Sequence, residues 1–177
     1  MTACRTLRHE GELSYSQLSG AINGLSQEIA WAQITLAPGE YLHSNGTIIG
    51  MVQHVAVCKF MFGSTAFRGT EIRWRDCIER LETIGTSWVE SLAYLEEAQQ
   101  YWLSTWESLT DADLDGEYLH FRGVTWPGWK IIATVIQHDA YHGGQINLLS
   151  SILTPTSIPP DLQLAEERKA VIDLPGW

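Results

Sequence analysis

Positive charge is in short supply in this sequence: 11 Lys and Arg stand against 21 Asp and Glu, for a formal net charge of −10. A phosphate backbone or an anionic lipid surface would be repelled at long range, so neither nucleic acid nor a membrane is expected as a partner. Cysteine is scarce too. Cys4, Cys58 and Cys77 are odd in number and form no CxxC pair, which fits reduced thiols and not a disulfide framework. The amino-terminal MTACRTLRHEGELSYSQ lacks an apolar h-region, and no stretch of about 18 residues reads as apolar enough to cross a bilayer; a soluble, cytoplasmic protein is expected. Internal repeats and low-complexity tracts are missing as well. What is present, 177 residues with 45% apolar content, suits one domain over 1–177, with a core at about 15–153 and a tail at 154–177.

Apolar periodicity predicts four long helices. Leu18, Ile22, Leu25, Ile29, Ala32 and Leu36 alternate spacings of four and three, so a first helix is expected from Tyr15 to Ala37, ended by Pro38-Gly39. After HSNGT, where Asn45 or Thr47 can cap, IIGMVQHVAVCKFMF carries only Gln53, His54 and Lys59 as strongly polar residues and reads as a mostly buried second helix. Trp88, Leu92, Leu95, Gln99, Trp102, Trp106 and Leu109 form the seam of a third. Two short aromatic and β-branched runs around Arg122-Gly123 predict a small hairpin or irregular excursion. Past Pro127-Gly128, a fourth helix places Ile131, Val135, His138, His142, Gln145 or Ile146, Leu149 and Leu153 on one face. Beyond Leu153, TPTSIPP ends it, and DLQLAEERKAVIDLPGW reads as a short amphipathic piece packed outside. The tryptophans Trp88, Trp102, Trp106, Trp126 and Trp129 read as core.

The fourth helix thus points two histidines where Leu or Val would ordinarily sit. His138 and His142, four apart, lie one turn apart on the same side and can offer nitrogens to one ion. His54 occupies a core position on the other strongly apolar helix, with Met51, Val55, Cys58 and Phe62. An unsatisfied buried polar group costs about 1–3 kcal/mol, which three core histidines avoid either by separate hydrogen bonds or by a shared metal. On spacing alone both readings stay open.

The string His138-Asp139-Ala140-Tyr141-His142-Gly143-Gly144-Gln145 resembles the HxxxHxGQ signature of the DinB-like (YfiT-like) metalloprotein superfamily. His54, within IIGMVQHVA, matches its second-helix histidine. The resemblance runs from the first helix to about Leu153 and includes the order of elements. It implies an all-α, up-down-down-up four-helix bundle, with His54, His138 and His142 holding zinc, nickel or, less typically, iron or manganese, frequently in a homodimer. The apolar faces left over on the first and third helices would then pair two chains. Gly143 stands where the family often has Arg or Ala, which suggests a missing contact near the mouth of the site.

Three imidazoles plus an open position resemble catalytic rather than structural zinc. Cys58, one turn from His54, could close the site as a fourth ligand or simply pack as a small apolar residue. Ligating histidines usually donate their second N–H to a neighbour, and Gln145 is the favoured partner among Asp139, Gln145, Gln53, Gln99 and Glu28. Asp139 and Tyr141 lie off the histidine stripe and read first as capping, hinge or surface residues; with Gln145 they are the acid–base candidates. His9, His43 and His120 read as exposed, with His43 or His120 able to line the mouth. What the resemblance implies for function is a metal-dependent enzyme of the thiol S-transferase, isomerase or hydrolase type, using a small-molecule substrate and a low-molecular-weight thiol. The alternative is a metal-dependent binding or stress-response protein without turnover.

Overall fold

The computed structural model describes residues 2–34 and 46–154. Its helices are α1 (Ala3–Ile22), α2 (Gln27–Trp31), α3 (Ile48–Phe67), α4 (Trp74–Ile84), α5 (Trp88–Thr105) and α6 (Gly128–Leu153). A two-stranded antiparallel hairpin, β1 (Glu117–Leu119) with β2 (Thr125–Pro127), pairs Tyr118 with Trp126 immediately before α6. The predicted excursion is therefore a true hairpin, with Gly123 at φ 79° in its turn.

The four long helices form the expected up-down-down-up bundle. α1 and α6 run parallel, with Gly11 beside Ile136 and Leu18 beside Gly143. α3 and α5 are also parallel: Gln53 bonds Ser91 near their starts, and Gly63 meets Thr105 near their ends. α3 crosses α6 in the opposite sense, since His54 meets His142 while Phe62, two turns on, meets His120 just ahead of α6. α3 is apolar nearly all round and correspondingly buried nearly all round. By length and composition it is long and apolar enough to cross a membrane, which corrects the expectation that no stretch is. Yet 83% of that window is buried inside the fold, as in the core helix of a bundle.

The first helix departs most from expectation. It starts at Ala3 and stops at Ile22, although the apolar stripe runs on through Leu25 and Ile29. Gly24 takes φ 78°, a left-handed conformation that breaks a helix readily, and Ser26 then caps α2 by accepting from Ile29 N at 3.3 Å. Asn23-Gly24 is a turn that the periodicity masks. The early start has a distant cause. Thr2 Oγ1 accepts from Arg5 N, and the Asp111 carboxylate accepts from Ala3 N (3.1 Å) and Cys4 N (2.9 Å), so the free N–H groups of the first turn are satisfied from beyond α5. These bonds hold the Asp111 carboxyl below its usual range.

α4 adds a helix to the four expected. It buries only Cys77 and Ile84, too short a stripe to stand out. Asp76 fixes its start by accepting from Arg73 N at 2.8 Å. The end of the first helix at Ala37 with Pro38-Gly39, the Asn45 cap, His43 and the amphipathic tail lie outside the described residues.

Candidate metal centre

Two helices deliver the histidines, and each is positioned by local chemistry. Thr47 starts α3 by accepting from Gly50 N at 3.2 Å, which sets His54 two turns in. The hairpin hands the chain to α6 at Pro127, where a residue without an N–H loses nothing at a helix start. α6 is then seated tightly on α1: a Cβ on Gly143 would stand 3.3 Å from Leu18 Cα. Position 143 therefore faces α1 and not a mouth, and a larger residue there would collide with the α1 backbone. The expected missing contact is replaced by a close helix crossing.

The three imidazoles converge. His138 Nε2 lies 3.1 Å from His54 Nε2 and 3.1 Å from His142 Nε2, and one nitrogen from each ring lies within 4.8 Å of the others. Two nitrogens each about 2.0–2.1 Å from an ion, and roughly 100° apart around it, stand about 3.1 Å from one another. The rings meet at 51°, 72° and 76°, so no two of them are stacked face to face. His142 is fully buried, while His54 and His138 are half-buried. The donors are all neutral nitrogens, which suits zinc, nickel or another borderline ion better than a hard cation. The residues present fit a metal.

A family model for the DinB superfamily matches residues 12–146. The chain belongs to the DinB superfamily. Its HxxxHxGQ string and the α3 histidine therefore carry the resemblance they suggested, and no curated protein matches the chain. This DinB chain places the remaining candidates less uniformly than its sequence implies. Cys58 Sγ lies 3.7 Å from His54 Nε2, but the cluster of mutually close ligand atoms holds the three histidines and not Cys58. Burial pushes that thiol up to about 12, opposed by Lys59 and Arg122.

Asp139 departs from the expected capping, hinge or surface role. It is 2% exposed, and its Oδ2 accepts from Lys59 Nζ at 2.5 Å, Lys59 itself being fully buried. Burial raises the Asp139 carboxyl and lowers the Lys59 ammonium, each opposed by the other's charge. The sequence did contain a signal for this pair: a lysine inside IIGMVQHVAVCKFMF needs a carboxylate, and Asp139 is the only acid in α6. Gln145 donates to Tyr141 Oη at 2.9 Å rather than to a histidine, and Tyr141 is 55% exposed. Gln53 donates to Gly85 O and Ser91 Oγ, tying α3 to the start of α5. Gln99 is buried with its Oε1 lacking a partner among the described residues, and Glu28 is exposed on α2.

His9 is exposed as expected; His120 is not. It is 4% exposed, wedged against Phe121 and Trp126, and its Nδ1 accepts from Arg122 N at 3.0 Å. Trp88, Trp102 and Trp106 are core, whereas Trp129 is 45% exposed.

Proposed function

We propose that His54, His138 and His142 hold one divalent ion, zinc or nickel before iron or manganese, with a coordination position left for a small molecule. The reading rests on one observation, the 3.1 Å approach of His138 Nε2 to both other Nε2 atoms. His54 and His138 are only half-buried, which supports access to that point. An ion there supplies Lewis acidity, lowering the pKa of a water or thiol that completes its shell. The activity we assign is metal-dependent: S-transfer or isomerisation with a low-molecular-weight thiol, or hydrolysis. A cytoplasmic homodimer belongs to the same reading. For the pairing face we favour the exposed stripe Tyr141, Leu148 and Ile152 on α6 over α1 and α5, where Leu13 and Val89 stand singly.

One observation favours the second reading, a metal-dependent binding or stress-response protein. Of the acid–base candidates, Asp139 is committed to Lys59 and the amide of Gln145 to Tyr141, which leaves the centre poor in protein groups able to move a proton.

Elemental analysis of gently purified protein is expected to find close to one ion per chain, and His138→Ala to lose it. Cys58→Ala should keep the ion; loss of metal there would instead make sulfur a ligand and close the site. Metal-dependent consumption of bacillithiol, mycothiol, glutathione or coenzyme A with an electrophile would establish the enzyme, and no turnover with any of them would favour binding. Light scattering that finds only a 19.9 kDa species would remove the dimer.

A further inference from the structure

Beside the histidines, α2, the first half of α3 and α4 enclose a cleft of about 490 Å³, with His54 in its wall. Three features together suit it to a small uncharged molecule. Among the described residues its lining contains no Asp, Glu, Lys or Arg, although the chain as a whole carries a net charge of −10. Its walls expose large apolar groups: Trp74 is 53% exposed, Trp31 39% and Ile78 36%. Apolar surface gathered in a concave site of this size is the usual mark of a small-molecule pocket. The walls are also fixed in place. Trp31 Nε1 donates to Thr86 O at 2.9 Å, and Gln53 is held by Gly85 O and Ser91 Oγ. Both ties run to the α4–α5 connection, so the indole and the amide stand preorganised and lose little freedom on binding.

We propose that this cleft receives the uncharged aromatic or branched apolar part of a small-molecule substrate and sets its reacting atom against the three-histidine centre. The placement of the reacting atom rests on the metal-centre reading; occupation of the cleft does not. A peptide-like thiol with carboxylates and an ammonium group finds no counter-charge among these walls, and burying its charges unpaired is costly. The cleft therefore serves the apolar reactant, and a charged thiol approaches from elsewhere.

Titrating the full-length, metal-loaded protein with N-phenyl-1-naphthylamine, an uncharged aromatic fluorophore, is expected to give saturable one-to-one binding. Ile78→Glu, a change on the outer face of α4, should weaken it at least tenfold while metal content and circular dichroism stay as in the parent. Leu13→Glu, a singly exposed position on α1 outside the cleft, should leave it within twofold. His138→Ala separates the two readings: it should lose metal yet retain the fluorophore. Non-saturable binding by metal-replete parent protein overturns the cleft alone, as does equal weakening by Leu13→Glu. A dimer that Ile78→Glu splits would also overturn it, giving the cleft to a second copy. With cobalt loaded, benzyl mercaptan should give a sulfur-to-cobalt charge-transfer band at a concentration at least tenfold lower than 2-mercaptoethanol; equal concentrations would overturn the placement of the reacting atom.

Discussion

Two polar sites bridge the same pair of apolar helices, α3 and α6, and they behave in opposite ways. Lys59 and Asp139 are oppositely charged and deeply buried, and each answers most of the other's need. His54, His138 and His142 are alike, and their Nε2 atoms crowd one point, that of His138 lying 3.1 Å from each of the other two. The first site joins opposite charges; the second gathers three groups of one kind, an arrangement that could hold a shared cation. Polarity inside a greasy interior thus takes two forms here, and the distinction lies in whether the groups that meet are opposite or alike. A pair of opposite charges fixes how two elements register, whereas a cluster of like imidazole nitrogens is a donor set suited to a borderline metal ion.

The sharpest way to break this contrast is to cut the matched pair. Lys59→Ala or Asp139→Ala leaves one charge buried alone and should cost about 3–5 kcal/mol in urea unfolding, whereas the double change Lys59→Met with Asp139→Leu should be close to neutral. Mild single changes would mean that the pair is not what joins these helices. The histidine cluster makes the complementary claim. Zinc or nickel at about 100 times its dissociation constant should stabilise the parent by about 2.7 kcal/mol, and His138→Ala should show no such gain in the same thermal scan.

Gly143→Ala probes the seat on which His142 stands. A methyl group there meets Leu18 Cα at 3.3 Å, so unfolding should become easier by about 1–3 kcal/mol, and metal affinity should drop with it if that seat aims the imidazole. Unchanged affinity would separate the two.

His120 offers the mildest test, because it is a buried histidine already satisfied within the hairpin. Burial, with Arg122 and Lys130 adding to it, holds its pKa below the ordinary value. The folded ring therefore takes its proton later than the unfolded chain as pH falls. Its contribution is full above about pH 6.5, erodes below that, and is gone once the folded ring protonates. His120→Phe should flatten the melting temperature between about pH 7 and 5 relative to the parent, by the same amount with and without added metal.

Much of this arrangement was legible from residue order, and the exceptions share a cause. α3, α5 and α6 announce themselves because long apolar patterns survive tertiary packing, and the three histidines were conspicuous as polar residues at core positions. α1 was misjudged because its stripe crosses Asn23-Gly24 unbroken, so the period outweighed a local turn. The burial of Asp139 was hidden because α6 is covered by α1 on one side and α3 on another; a helix buried on two faces has no polar side against which to judge a residue. His120 was missed for a related reason: hairpin residues are taken as wet, yet here aromatic neighbours enclose the ring.

The carboxylate that caps α1 lies 108 positions downstream of the amide it receives. During synthesis the opening turn therefore emerges long before its acceptor exists. That turn can gain its acceptor only after the far end of α5 has left the ribosome, so it is made before α5 and locked after it.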